Sequence, residues 1–253
     1  MKLVIPNNIF ATLFVLSIDE NEKPEIEIND SALITLNLIN SEENKIGLIP
    51  TLDLIDNRDL FVSGKLGIGF EGLLSNAYNY FGKNDNLNTI HLTGDITKNE
   101  VILNKIIFSE RYGIEPEIKL DSSPKFDEAK NYLMVGNKNW EEDRYNKGLS
   151  FSEQIAEFLE FPYINFVFAS KDEELMKEFN KKYQEINSRI LTNLDENLSK
   201  ISLNKSLNKI VKNEISSIYY DLTNHEIEAI DELFKLIFYH QIIEHLFDVK
   251  FVE

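Results

Sequence analysis

The chain has 253 residues, with 26 Lys and Arg against 43 Asp and Glu, a formal charge of −17 and no cysteine. A chain this long buries roughly three quarters of its unfolded surface, so it needs no disulfide or structural metal and forms one large domain or two moderate ones. Zinc–thiolate and thiol chemistry are excluded, and the acidic balance opposes nucleic acid and anionic membranes, whose affinity comes from Lys and Arg displacing counterions. No window approaches the roughly 18 uninterrupted apolar residues of a membrane helix. The first sixteen residues, MKLVIPNNIFATLFVL, carry one Lys, are broken by Pro6, Asn7 and Asn8, and lack a small-residue cleavage site. They are expected to open a cytoplasmic protein rather than to form a signal peptide.

Lys2 to Pro6 predict a strand, Asn7 and Asn8 a short loop, and Ile9 to Leu16 a helix, which is how an α/β domain begins. The next segment, ENEKPEIEIND, is charged and turn-prone. A helix in SALITLNLIN then precedes a buried strand at Ile46 to Ile49 that stops at Pro50. Just past residue 60, Gly64, Gly67, Gly69 and Gly72 cluster, and the polar stretch GKNDNLN after them is the first hinge candidate. GKLGIG resembles a dinucleotide fingerprint only superficially, because no strand–turn–helix setting surrounds it.

Residues 88–136 read as a βαβ unit: strand NTIHLTG, a helix from Lys98 to Tyr112, strand EPEIKLD and strand NYLMVG. Thr97 and Glu100 form a capping box, and Gly113 supplies the left-handed stop. Ser150 with Glu153 starts a helix to about Leu159, and FPYINFVFA returns as a buried strand. From Ser170 onward the pattern reads as all helix, with boxes at Ser170/Glu173 and Thr223/Glu226 and an apolar stripe of Ile227, Ile230, Phe234, Ile237 and Phe238. Two polar crossings bracket the middle unit. The expectation is therefore two α/β lobes, residues 1–86 with 166–253 and residues 87–165, with a ligand in the cleft between them. There, strand C-terminal ends and helix N-termini turn backbone N–H groups and positive dipole ends toward an anion.

His240, Glu244 and His245 lie on a predicted helix without an HExxH spacing, so no metal site is expected. His91 sits in a predicted strand beside the cleft loop. Glu141, Glu142 and Asp143 read as a solvated loop. The more specific signal is a set of small hydroxyl and amide residues at element corners: Asn7, Asn8, Thr51, Ser75, Asn76, Thr97, Asn99 and Asn137. Singly, each is a turn former or helix cap. Together, in a chain with four Arg, they are the donors with which a two-lobed protein would hold a small-molecule carboxylate.

The order and spacing of IGLIPTLDLI, LLSNAYNYF, ERYGIEPEI, YLMVGN and FPYINFVFA resemble the chorismate dehydratase family of the futalosine route to menaquinone, and its wider group of periplasmic-binding-like proteins. The family's Val-Pro-Ser strand end, serine after a Gly-rich turn, Arg-Tyr-Gly helix end and Leu-Pro-Phe-Val segment have counterparts here. These are Ile49-Pro50-Thr51, Ser75, Arg111-Tyr112-Gly113 with Pro116, and Phe161-Pro162-Tyr163-Ile164; Thr97 and Gly136 also fit. The resemblance spans about residues 1 to 170. It implies a two-lobed type II periplasmic-binding fold with a helical C-terminal region, and a lyase that dehydrates chorismate to 3-[(1-carboxyvinyl)oxy]benzoate without a cofactor. On that reading Asn8 and Ser75 are catalytic, and Asn7, Thr51, Asn76, Thr97, Asn99 and Asn137 bind substrate. The family's N-terminal Tyr-Leu-Asn meets Asn7, Asn8 and Ile9 here, and its Ser-Arg-Thr-Ser becomes Thr97, Lys98, Asn99 and Glu100. Either Glu100 turns away as a capping-box partner or the ligand differs. The other expectation on the same fold is a non-catalytic binding protein for a small anionic or aromatic metabolite.

Overall fold

The first apolar run, Lys2–Pro6, forms β1, buried on both faces as a parallel strand between two neighbours must be. The computed structural model describes residues 1–83, 87–123, 125–201, 203 and 205–253. Asn8 caps α1 (Ile9–Leu16), its Oδ1 accepting the Ala11 amide at 2.8 Å. There follow β2 (Glu25–Asn29), α2 (Ser31–Asn40), β3 (Ile46–Pro50), a 3₁₀ turn at Thr51–Ile55 and the long β4 (Phe61–Phe70). β2 corrects the expectation of a charged turn. Lys2 lies 3.2 Å from Glu25 and 3.0 Å from Glu27, and Lys45 lies 3.4 Å from Glu27, so the acids of Glu-Ile-Glu-Ile are matched and the segment pairs along β1 as an edge strand. The Lys2 ammonium is the first cause that holds the Glu27 carboxyl at about 2.

The chain then builds a second sheet. Its elements are β5 (Ala77–Tyr80), β6 (Thr89–Gly94), α3 (Lys98–Tyr112), β7 (Glu117–Leu120), β8 (Asn131–Val135), a 3₁₀ stretch at Asn137–Lys147, β9 (Leu149–Ser150) and α4 (Phe151–Leu159). The strand order is β7-β6-β8-β5-β9. The Thr97–Glu100 box opens α3 and Gly113 closes it at φ 63°, as the residues predict. β5 precedes residue 86 yet pairs with β8, so the passage between sheets falls within residues 71–76, ahead of the polar stretch expected to be a hinge. Of that stretch, residues 84–86 lie outside the described residues.

β10 (Tyr163–Ser170) returns to the first sheet, fully buried between β3 and β4. α5 (Glu173–Tyr183), α6 (Ile186–Thr192), α7 (Leu194–Lys200), α8 (Lys205–Glu214), β11 (Ile218–Asp221), α9 (Asn224–Tyr239) and β12 (Lys250–Val252) complete the chain. The first sheet runs β11-β4-β10-β3-β1-β2, with β12 also on β4. The C-terminal third is thus not all helix: β11 and β12 take up the open backbone of β4, where the glycines permit close approach. A Cβ at Gly64 would lie 3.1 Å from the Val252 carbonyl oxygen of β12, and on the β10 side one at Gly67 would lie 3.0 Å from the Phe166 carbonyl oxygen, so these glycines serve strand packing rather than a phosphate loop. The capping box expected at Ser170 is also corrected. The Ser170 hydroxyl donates to the Lys45 carbonyl at 2.9 Å, and Asp172 caps α5 by accepting the Leu175 amide at 3.1 Å.

Candidate functional site

The cleft between the sheets is shaped by the C-terminal ends of β1, β2, β6, β7 and β8, a placement that parallel strands dictate for a ligand site. Gly94 ends β6 at φ 99°, and a Cβ there would lie 1.9 Å from the Val135 carbonyl oxygen, so no other residue fits. That turn carries Asp95 across the cleft to the start of α2. Ser31 donates its backbone N–H to Asp95 Oδ1 at 3.0 Å and its hydroxyl to Oδ2. A carboxylate of the second lobe thereby occupies a helix N-terminus of the first. Asn137 Nδ2 donates to the Asn7 carbonyl at 3.1 Å, and Lys98 pairs with Asp56, closing the cleft at two further points.

What stays open is a cavity of about 780 Å³ with Asp30, Asp95 and Asp121 on its walls beside Lys138. Leu33 and Leu120 reach into it at 51% and 76% exposure, so its apolar surface lacks a cover. Burial pushes the Asp95 carboxyl up, and the neighbouring Asp30 charge adds to this. Asp121 shifts the other way, first because the Ser123 N–H donates to it at 2.8 Å and then because Lys130 lies at 3.0 Å. His91 lies 3.8 Å from Asp121, and burial lowers its pKa.

Asn7 and Asn137 line this cavity, and Thr97 lines an adjoining one of about 580 Å³ with Asp53 and Asp56. The other expected residues lie inside the fold. The Thr51 hydroxyl donates to the Ile164 carbonyl at 2.7 Å. Ser75 Oγ shares a 2.7 Å hydrogen bond with Ser152 Oγ and accepts the Ala77 and Ser152 amides. The Asn76 carbonyl accepts the Gly136 N–H at 2.7 Å, while its buried Oδ1 has no hydrogen-bond partner among the described residues. Asn99 takes the Leu52 amide on Oδ1 at 2.9 Å and donates through Nδ2 to the carbonyl and Oδ1 of Asn165. Asn8 is 2% exposed, and its Nδ2 has no hydrogen-bond partner among the described residues. Glu100 turns away into the capping box, accepting the Thr97 N–H at 2.8 Å and hydroxyl at 2.6 Å.

Between the lobes behind α1, the groove is filled by rings. Phe10 packs edge-on against Phe70 at 4.9 Å and against Trp140 at 6.3 Å, and Trp140 meets Tyr78 and Tyr145 at 5.6 and 5.4 Å. These residues belong to one continuous core that joins the two sheets. The acids that face the open cavity, Asp30, Asp95 and Asp121, are single carboxylates among 43 and carry little sequence signal. The available signals were Gly94-Asp95 at a strand end and Asp30-Ser31 before an apolar helix.

Among the described residues, no group of three His, Asp or Glu could hold a metal ion, and no helix is long and apolar enough to cross a membrane. The sequence matches no protein-family model and no curated protein. The fold is that of the periplasmic binding proteins. An ABC transporter structure from Parabacteroides distasonis is similar at 12% identity and TM-score 0.66, over 100% of this chain and 98% of that one. The alkanesulfonate-binding protein SsuA from Xanthomonas axonopodis pv. citri, bound to MOPS, is similar at 10% identity and TM-score 0.62, over 96% and 93%. A Candida albicans protein described as having the generic periplasmic binding protein fold is similar at 13% identity and TM-score 0.60, over 99% and 92%.

Proposed function

We propose that the protein is a binding protein for a small molecule with a positively charged amino group on an apolar body, held in the cleft between the lobes. The observation that carries this reading is the lining of the 780 Å³ cavity, where three aspartates stand beside one lysine and two leucines present uncovered apolar surface. An ammonium entering there gains partners for Asp30 and Asp95, and its carbon body covers Leu33 and Leu120. A carboxylate or sulfonate would meet like charge, at about 3 kcal/mol for each pair roughly 5 Å apart in a medium of effective dielectric constant near 20. The similar Xanthomonas protein is an alkanesulfonate binder. An alkanesulfonate is an anion, and the cleft lining here favours the opposite charge.

Phenethylamine and phenylacetate are close in shape and opposite in charge, so thermal melting with each tests the charge preference directly. Phenethylamine is expected to raise the melting temperature and phenylacetate to leave it unchanged, and Asp30→Asn with Asp95→Asn should abolish the shift. Stabilisation by phenylacetate or chorismate, with none by the amine, would reject the proposal. A second reading, dehydration of chorismate, draws on the buried Asn8 Nδ2, which has no hydrogen-bond partner among the described residues. The hydroxyls of Thr51, Ser75 and Thr97 are already bonded within the protein, which leaves a substrate few donors. Loss of the cyclohexadiene absorbance of chorismate on incubation with the protein would support that second reading against the first.

A further inference from the structure

The second lobe has another cavity, at the far end of its sheet. The C-terminal end of β8 borders the interlobe cleft, whereas Lys130, just before the strand begins, borders this one. β5 and β8 are antiparallel, so Tyr80 at the end of β5 lies opposite Tyr132 at the same far end. A five-residue strand spans about 15 Å, so the two cavities are separate places. The volume of about 680 Å³ lies in the range of small-molecule sites.

Its lining inverts the charge of the molecule. Lys83, Lys125, Lys130, Arg144 and Lys147 surround it with Glu128, in a chain whose net charge is −17. Lys83 lies 2.8 Å from Glu128, but the two side chains are 81% and 67% exposed, so the pair is screened by water and exchangeable. The remaining walls are aromatic. Phe126 packs edge-on to Tyr80 at 5.6 Å, the Arg144 guanidinium lies over the Phe126 ring at 5.3 Å, and Phe81 is 40% exposed. The exposed Phe81 and the partly buried Phe126, beside a cluster of cations, offer ring contact and charge pairing to one ligand at once.

We infer that this cavity binds a small aromatic anion of the aryl phosphate type, its ring against Phe126 and Phe81 and its charge among Lys125, Arg144 and Lys147. A nucleic-acid strand is the less favoured occupant, because a polyanion must also run past the acidic remainder of the surface. Saturation-transfer NMR at low ionic strength, with phenyl phosphate as the probe, is expected to show transfer to the ring protons at millimolar affinity or better. Inorganic phosphate should compete only at higher concentration. Lys125→Gln with Lys147→Gln, both on exposed side chains, should weaken binding about tenfold. Phe126→Leu should weaken it about fivefold, and the exposed Phe81→Leu replaces that variant if melting shows it to be unfolded. Asp95→Asn, in the cleft, should leave binding unchanged. Any of four outcomes would overturn the assignment: no transfer at millimolar probe, equal affinity for inorganic phosphate, binding insensitive to the lysine pair, or tighter binding of a short single-stranded oligonucleotide.

Discussion

Glu100 shows how a single buried carboxyl sets a pH dependence. Burial pushes its pKa up to about 7, against the opposing pull of the Thr97 hydroxyl and backbone N–H groups, and the nearby Asp95 charge adds to the rise. A raised carboxyl binds its proton more tightly in the folded chain than in the unfolded one, whose ordinary value is 4.5. Its contribution is therefore complete at low pH and is lost as pH climbs from the ordinary value through 7, the reverse of a salt-bridged acid. The loss is on the order of 3 kcal/mol. Glu100→Gln keeps an oxygen for the Thr97 N–H and hydroxyl but cannot ionise. Melting curves from pH 4 to 8 should show wild type falling steadily relative to the variant, with the difference between them levelling off on the acid side only below the ordinary value of 4.5. Parallel curves would mean that Glu100 stays charged, or water-exposed, throughout.

At the scale of elements, Asn99 ties α3 of the second lobe to the 3₁₀ turn and to β10 of the first through one amide. Asn99→Ala strands the Leu52 N–H in the interior, a cost of about 2–3 kcal/mol. Chemical denaturation reads that loss, and unchanged stability would show that water replaces the amide. The position of Asn99 after a capping threonine was legible in the sequence because capping is local, and the same holds for the Thr97 and Thr223 boxes and the Gly113 stop. Its partners were not, because they lie 47 and 66 residues away. β2 carries the Glu-Ile-Glu-Ile alternation of a strand, but its charges read as a turn because Lys2 and Lys45, which match them, lie elsewhere along the chain; β11 is four residues whose stability comes from pairing with the distant β4. The candidate site divided along the same line. The residues expected at corners do stand at corners, but whether each hydroxyl faces a ligand or a distant carbonyl, as Thr51 does, was set by tertiary contacts.

At the scale of the molecule, two kinds of contact hold the lobes together, and they differ greatly in strength. The latch of Ser31 on Asp95 is polar and partly exposed, with each hydrogen bond worth about 1–3 kcal/mol. The ring cluster of Phe10, Phe70, Tyr78 and Trp140 is buried, and exposing two such rings uncovers roughly 300 Å² of apolar surface, or about 7 kcal/mol. Exchange of the proposed cleft ligand by wide separation of the lobes is therefore disfavoured, and the route that remains for it is the acidic mouth between α2 and β7. Asp95→Ala tests this hierarchy. Without the latch, the start of α2 and the turn after Gly94 should breathe locally, and hydrogen exchange at the Ser31 amide should accelerate by tenfold or more. The rings still hold, so the radius of gyration from X-ray scattering should stay at the wild-type value, about 18 Å for a chain of this length. If the variant instead expands in solution, the rings are not the stronger clasp, and ligands enter by opening the whole groove.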